Sequence, residues 1–228
     1  MDYNLLLQEY GKYDAPLISD ALRLAGVGGT LKNHLKPMIP EIKLVGKART
    51  VYTYLPDASA MVQLISQAEP GDCLVVQTTG GEQFAFMGEL MTTAATNRKM
   101  SGAVIEGCIR DIQFIRQVRF PIFAIGLIPY GAPAEGYGYI DVPVVVGGIS
   151  VKSGDIILGD DNGVVVVPQE HAEKILEMTG AIRKEEERIL AELHSGKNIK
   201  DIIKVEVLIE AQRKRRAAMV SPDFILDR

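Results

Sequence analysis

Three apolar segments in the middle of the chain constrain the fold most. CLVVQTT, AVIEG and IFAIGLI, at residues 73–79, 103–107 and 122–128, are apolar for most of their length. This pattern is typical of strands buried on both faces. The residues between them, roughly Gly88–Arg98 and the stretch around Ile112–Arg116, are predicted to be helices. The β–α–β–α–β order predicts a sheet that is covered on both faces.

The rest of the chain adds a helical start, short hairpins and a helical end. Asp14-Ala-Pro16 predicts the capped beginning of a helix that ends near Gly26, because proline suits the first turn. VPVVVGGISV, DIILGD and GVVVVP are short β-rich segments joined by Gly and Asp turns, as in antiparallel hairpins. Further predictions are a strand at 45–54, helices at 58–67, from 169 to about 193 and at about 200–218, and a turn at 159–163. We therefore predict an α/β fold: a mixed central sheet with surrounding helices and a helical C-terminal arm from about residue 169. No linker divides residues 1–228, which we expect to form a single domain.

The composition argues against nucleic acid and membranes as partners. The formal net charge is −4, whereas phosphate binding needs a concentrated positive surface. We interpret one basic run, residues 213–216, as the solvated end of a helix. No apolar stretch approaches the roughly 20 residues that span a bilayer.

The two cysteines and the N-terminus predict a cytoplasmic protein. Cys73 and Cys108 each lie within an apolar run, which favours buried, reduced thiols and a reducing compartment. The first residues, MDYNLLLQEYGKYD, lack the basic and apolar regions of a signal peptide.

The first candidate for chemistry is the pair Arg110-Asp111, directly after the strand that contains AVIEG. Ligands of layered α/β proteins gather where loops follow the carboxyl ends of strands. There, a carboxylate can hold a hard divalent cation, and a guanidinium can bind a carboxylate or carbonyl oxygen with two hydrogen bonds. Taken alone, the pair could equally be an exposed Arg–Asp pair in a loop.

The second candidate is Gly88-Glu89-Leu90-Met91, which begins a predicted helix after a glycine-rich loop. Free N–H groups at a helix N-terminus form an anion site that suits a substrate carboxylate. In the simpler interpretation, Glu89 only complements the helix dipole. The two candidates face one pocket if their strand ends are neighbours.

The third candidate is Glu186, on the long C-terminal helix. An apolar stripe runs along this helix, and at 100° per residue Glu186 falls within it, whereas Glu185 and Glu187 point away. A carboxylate on a buried face needs a partner or a metal. Partial exposure or a salt bridge to a neighbour would explain the residue equally well.

Several common sites are not encoded. The three histidines form no metal-ligand pattern, and there is no GxSxG elbow or Walker loop. A methyltransferase is disfavoured because no glycine-rich nucleotide loop is followed by an acidic ribose partner.

With these residues in place, about residues 14 to 200 resemble the family of 4-hydroxy-4-methyl-2-oxoglutarate / 4-carboxy-4-hydroxy-2-oxoadipate aldolases and RraA-like regulators of ribonuclease activity. The resemblance rests on ISDALRLAG, GKARTV, PGD, GEL, SGAVIEGCIRD and VPVVVGGISVKSGDIILGDDNGVVVVP, in this order. It implies a layered β/β/α swivelling-type fold. It also implies a homotrimer, or a homohexamer of two trimers, with sites between subunits.

The resemblance also assigns roles to the candidate residues. The amides of Gly88, Glu89, Leu90 and Met91 and the side chain of Arg110 would bind a pyruvate moiety, and Asp111 would hold Mg²⁺ or Mn²⁺, largely through waters. Family aldolases usually carry Asp where Glu89 stands, so the role of the longer side chain is open. A C-terminal Glu of an adjacent subunit approaches the metal in such aldolases, and Glu186 is the matching position.

These assignments predict a divalent-metal-dependent lyase that cleaves 4-hydroxy-2-oxo acids to pyruvate, with oxaloacetate decarboxylase activity as well. The retro-aldol reaction needs a base for the C4 hydroxyl, such as a water oriented by Glu186 or Glu89, whereas oxaloacetate needs none. Replacing Asp111 with Ala should abolish the activity, and Arg110→Ala should lower turnover about a hundredfold or more. The alternative is a non-catalytic RraA-like regulator that binds a ribonuclease or helicase partner.

Overall fold

A computed structural model describes residues 2–32, 34–54, 56–207, 209–210 and 212–213. The chain divides into two compact units, residues 1–180 and residues from 181 onward. Within the described residues, no helix combines the length and the apolar character needed to cross a membrane.

The first unit alternates strands and helices through its first two thirds and is rich in hairpins thereafter. Its strands are β1 Lys36–Pro37, β2 Leu44–Tyr52, β3 Asp72–Gln77, β4 Ala85–Met87, β5 Gly102–Ile109, β6 Ile122–Leu127, β7 Tyr139–Ile140, β8 Val144–Val146, β9 Ile149–Val151, β10 Ile156–Asp160 and β11 Gly163–Val167. Its helices are α1 Tyr3–Tyr10, α2 Ala15–Leu24, α3 Ser59–Gln67, α4 Glu89–Asn97, α5 Ile112–Val118 and the beginning of α6 Ala172–His194, which a single 3₁₀ turn precedes.

Among the described residues, nine strands form one mixed sheet. Its main path runs β1-β6-β5-β3-β2-β10-β11, with β4 paired to β5 and β7 paired to β2. The central strands β2, β3, β5 and β6 are parallel; β10 pairs antiparallel with β2, and β11 pairs antiparallel with β10. The predicted mixed α/β sheet with surrounding helices is therefore confirmed.

A separate apolar core covers each face of the sheet. On one face, Leu64 of α3, Ala95 of α4 and Ile115 of α5 pack against Ile105 of β5. On the other, the β8–β9 hairpin packs against residues such as Val104. Successive residues of a strand point to opposite faces, so a strand between two cores must be apolar throughout. This explains why β3 and β5 read as continuous apolar runs.

The local predictions are confirmed with small shifts at the element ends, but one capping detail is wrong. The Asp14 side chain does not cap α2; the amide of Ala15 instead donates to Oδ2 of Asp160, at 2.8 Å. The turn predicted at 159–163 is present but shorter: Asp161 and Asn162 connect β10 to β11. The short elements α1, β1, β4 and β7 were not predicted, because two or three residues carry no readable periodicity and α1 is only weakly amphipathic.

The second unit begins within α6 and continues with α7, Ile199–Ile203. The helical C-terminal arm is thus confirmed as far as the described residues extend. The prediction of one continuous helix at 200–218 is wrong at its beginning, because α7 ends at Ile203 and Lys204 is left-handed, with φ of 52°. The rest of that prediction and the basic run at 213–216 lie partly outside the described residues. The prediction of a single domain over residues 1–228 stays a prediction.

Candidate functional site

Strand β4 brings the two halves of the candidate site together. It pairs in parallel with the end of β5, where Met87 lies opposite Ile109. The amide of Arg110 then donates to the carbonyl of Met87 at 2.9 Å. Because both strands end here, the first turn of α4 begins beside residues 110 and 111. The adjacency that the sequence left open is present in the structure.

Asp111 closes the N-terminus of α4 from a different segment of the chain. Its Oδ2 accepts a hydrogen bond from the amide of Glu89 at 2.9 Å. Gly88 precedes α4 and offers no side-chain cap, and any Cβ there would clash with Oδ2 of Asp111. The approach of the carboxylate thus requires glycine at position 88. The amides of Leu90 and Met91 find no acceptor within the described part of the chain, which leaves two donors of the first turn for an anion.

Asp111 also has an unusual backbone conformation. Its φ of 57° and ψ of 39° place it in the left-handed region, which costs a non-glycine residue of the order of 1 kcal/mol. This conformation joins the end of β5 to α5. Aspartate is one of the few side chains that tolerate it.

Arg110 lies beside this carboxylate without forming a close ion pair. Its Nε is 3.7 Å from Oδ2 of Asp111, and the side chain is 47% exposed. On its other side the guanidinium lies against the backbone of Gly131. The guanidinium therefore lies between the Asp111 carboxylate and the Gly131 backbone, and its N–H groups remain available to a ligand.

Arg110 and Asp111 form the polar end of an open cleft of about 340 Å³. The remaining lining is apolar and comes from Ile112 of α5 and from the end of β6, namely Leu127, Ile128 and Pro129. A few polar groups facing an apolar wall are typical of small-molecule sites. The volume suits a small organic acid.

The donor set fits a hard divalent cation held by one carboxylate. Oδ2 of Asp111 is engaged by the Glu89 amide, whereas no hydrogen bond to Oδ1 is formed by the described residues, and the side chain is 41% exposed. No group of three or more His, Cys, Asp or Glu that could hold a metal occurs among the described residues. Mg²⁺ is commonly bound through one or two carboxylates and keeps several waters. Asp111 would be the protein ligand of such a cation, and the metal site stays a prediction.

The two candidate glutamates are both exposed. Glu89 begins α4 at the rim of the site. Glu186 lies in the second unit and is exposed within one chain, so the buried surroundings inferred from the apolar stripe are not formed there. Its predicted approach to an adjacent subunit stays a prediction.

The residues outside the predicted site behave as expected. His34 contacts Glu106 at 3.3 Å between Nε2 and Oε1, and takes no part in the cleft. Cys73 and Cys108 are free and buried, and burial raises the pKa of both thiols. Sequence reasoning missed the apolar wall and Gly131. The apolar wall follows β6 directly. Because β6 is parallel to β5, both strands end at the same edge of the sheet, so the sequence could have placed this segment beside Arg110.

Comparison with known proteins identifies the class. The Aldolase/RraA family, described as RraA-like, matches residues 15–166. The chain therefore belongs to the RraA-like family, as its sequence motifs indicated.

Individual relatives agree with this assignment. A protein of Halalkalibacterium halodurans named "Putative 4-hydroxy-4-methyl-2-oxoglutarate aldolase" is 34% identical over 64% of this chain and 70% of its own length. Protein DlpA of Legionella pneumophila is 30% identical over 85% of this chain, but the match spans only 32% of DlpA. The crystal structure of Streptomyces coelicolor RraAS2, an unusual member of the RNase ES inhibitor RraA protein family, superposes with a TM-score of 0.73 at 25% identity, covering 84% of this chain and 97% of RraAS2.

Proposed function

We propose that this chain is a divalent-metal-dependent carbon–carbon lyase that releases pyruvate from 4-hydroxy-2-oxo acids such as 4-hydroxy-4-methyl-2-oxoglutarate, and that it also decarboxylates oxaloacetate. One observation carries the proposal: Arg110 and Asp111 line one cleft, and the carboxylate of Asp111 accepts from the Glu89 amide at the N-terminus of α4. The aldolase name of a relative that is 34% identical supports the choice of reaction.

The chain's own groups can hold the part of the substrate that becomes pyruvate. The amides of Leu90 and Met91, at the positive end of the α4 dipole, suit the C1 carboxylate. Cleavage leaves negative charge on the C2 oxygen, and the fixed guanidinium of Arg110 would stabilise that charge. One such donor is typically worth about 3 kcal/mol in the transition state.

Asp111 is the residue that would hold Mg²⁺ or Mn²⁺. A divalent cation bound there would act as a Lewis acid on the 2-oxo acid. Asp111 would therefore serve two purposes, since the same carboxylate also caps α4. Glycine at position 88 keeps the space that this carboxylate needs.

The reaction on a 4-hydroxy-2-oxo acid needs one more group, a base for the C4 hydroxyl proton. Glu89 at the rim of the site and Glu186 of an adjacent subunit are the candidates, each through an oriented water. The proposal includes a homotrimer or homohexamer, because Glu186 acts only across subunits. Decarboxylation of oxaloacetate removes CO₂ and requires no such base.

A coupled assay of pyruvate release tests the proposal. We expect the chain to release pyruvate from oxaloacetate with Mg²⁺ or Mn²⁺ at rates above the metal-only blank, and to lose this activity with EDTA. Re-adding the metal should restore it. Activity that survives EDTA, or rates equal to the metal-only blank, would contradict the proposal.

Comparing the two substrates identifies the base. We expect either Glu186→Gln or Glu89→Gln to lower cleavage of 4-hydroxy-4-methyl-2-oxoglutarate by about a hundredfold, a typical contribution of general base catalysis, while leaving oxaloacetate decarboxylation near the wild-type rate. Glu187→Gln is the matched control, since Glu187 lies on the same helix and forms an ion pair with Arg183 at 2.9 Å. Equal losses on both substrates would exclude a role as base.

A non-catalytic regulator is the second candidate, and the similarity to RraAS2 favours it. A regulator would inhibit a ribonuclease without needing residues 110 and 111. Inhibition of purified RNase ES by wild type and by Arg110→Ala to the same extent, together with an absence of pyruvate release, would establish this alternative. The expected location is cytoplasmic in either case.

A further inference from the structure

We infer that Gly131 is a positioning residue for Arg110: its bare backbone forms the wall against which the guanidinium rests. The inference builds on the proposed function and adds a residue to the site. Gly131 lies four residues beyond the end of β6, in the segment that also supplies Ile128 and Pro129 to the cleft.

The packing at this point leaves no room for a side chain. A Cβ on Gly131 would lie 2.6 Å from Nη1 and 3.1 Å from Cζ of Arg110. Both distances are below ordinary van der Waals contact, so either the backbone or the guanidinium would have to move. The φ of Gly131 is not positive, so the limit on a side chain here is the space taken by the guanidinium and not the backbone conformation.

The backbone of Gly131 is held on both sides by hydrogen bonds. The carbonyl of Tyr130 accepts from the amide of Ala85 at 2.7 Å, and the amide of Ala132 donates to the carbonyl of Ala85 at 2.9 Å. Ala85 is buried in β4 and paired with Cys108 of β5. Strand β4 thus holds the backbone around Gly131 in place and also positions Gly88, which directly follows it, at the site.

The far end of this segment is anchored as well. Oδ2 of Asp57 accepts from the amide of Glu135 at 2.6 Å, and Oγ of Ser59 accepts from the amide of Gly136 at 2.9 Å. Burial tends to raise the pKa of Asp57, but its hydrogen bonds, chiefly from the Ser59 and Glu135 amides, lower it on balance, which keeps the anchor ionised. Because both ends of this segment are hydrogen-bonded to the rest of the fold, an added methyl group at position 131 displaces the guanidinium and not the backbone.

This geometry separates stability from function. The atoms that would move are the half-exposed end of a flexible side chain, so the change costs little folding free energy. The same movement shifts the positive charge of Arg110 relative to the substrate. A displacement of about 1 Å can lower turnover strongly when the chemistry depends on placement.

Kinetics of four variants test the inference: Gly131→Ala, Arg110→Ala, the double variant, and Gly126→Ala as the matched control. Gly126 lies in the neighbouring β6, where a Cβ would meet only Cys108 Sγ, at an ordinary 3.8 Å. We expect Gly131→Ala to lower kcat/KM at least about tenfold in the wild-type background and less than about twofold when Arg110 is already Ala, as coupled residues do. Gly126→Ala should match wild type, and all melting temperatures should agree within about 2 °C.

A spectroscopic measurement separates this inference from the proposed function. The Nε–H cross-peak of Arg110, assigned by its loss in Arg110→Ala, should shift in Gly131→Ala and stay in place in Gly126→Ala. If Arg110→Ala leaves kcat/KM unchanged, the proposed function fails and the cross-peak alone decides the role of Gly131. An unmoved cross-peak, or equal losses from Gly131→Ala in both kinetic backgrounds, would overturn the inference.

Discussion

Two Arg–Asp pairs, Arg49–Asp141 and Arg110–Asp111, differ in how many of their hydrogen-bonding groups have a partner. Arg49 and Asp141 form a two-point ion pair, with Nε to Oδ1 at 2.8 Å and Nη2 to Oδ2 at 2.7 Å. Asp141 also accepts from Ser153 at 2.7 Å. Arg110 and Asp111 are sequence neighbours, yet Nε of Arg110 lies 3.7 Å from Oδ2 of Asp111. One pair is saturated, whereas the other keeps bonding capacity.

The surroundings of the two arginines explain this difference. The Arg49 side chain is 18% exposed and lies near the fully buried Asp72, so its charge has to be matched within the protein. The hydrogen bond between the two groups lowers the pKa of Asp141 and raises that of Arg49. Arg110 is 47% exposed at the end of a cleft, where water or a ligand can complete its hydrogen bonds. Unused donors next to a cavity therefore mark the candidate site better than an ion pair does.

Backbone strain alone would not have distinguished the two pairs. Both aspartates adopt the left-handed conformation, with φ of 57° at Asp111 and 55° at Asp141. In the first case the conformation turns β5 into α5, and in the second it follows β7. Backbone strain therefore indicates a functional site only where the same residues also have unused hydrogen-bonding groups and line a cavity.

The largest effect is expected from neutralising the open pair. Asp111→Asn keeps an oxygen that can accept from the Glu89 amide but removes the charge that would hold a cation. We expect pyruvate release to fall at least about a hundredfold, consistent with loss of a key electrostatic group, with an unchanged melting temperature. Asp111→Ala should lose the activity and, in addition, about 1 kcal/mol of stability through the missing helix cap.

These two variants separate capping from chemistry. If Asp111→Asn retains full activity while Asp111→Ala does not, the carboxylate acts only as a cap, and the contrast between the two pairs is structural and not functional. Thermal unfolding and the coupled pyruvate assay on the same samples provide both readouts.

A smaller effect, on stability and not on activity, is expected from Asp141→Asn, the matched change in the Arg49–Asp141 pair. We expect turnover near wild type and a loss of about 1 kcal/mol in the free energy of unfolding at pH 7, the modest value of a partly exposed ion pair. Because folding lowers the pKa of Asp141, its stabilisation is complete above the unfolded pKa of about 3.9 and disappears as the pH falls through the folded value.

Urea unfolding of wild type and Asp141→Asn from pH 7 to pH 2.5 measures this dependence. The stability difference should be constant near neutral pH and shrink below about pH 4, where the wild-type carboxyl becomes protonated. A difference that stays constant into acid would show that Asp141 stabilises the fold by means other than its charge.

The sequence predicted the elements that repeat a pattern over several residues. The apolar runs that became β3, β5 and β6 must be buried on both faces, and this requirement can be read directly from their composition. The pair Arg110-Asp111 could be selected because strand ends collect ligands. Capping by Asp111 and the wall at Gly131 could not, since both depend on contacts between segments about 20 residues apart.

What the sequence determined by itself is therefore the layered α/β fold, the family, and the two polar residues of the cleft, Arg110 and Asp111. Only the tertiary structure decided that β4, three residues long, pairs beside β5 and places Gly88, Arg110 and Gly131 in contact. The physical reason is that periodic burial is encoded locally in each segment. The distance between two strand ends, by contrast, is set by the packing of the whole sheet.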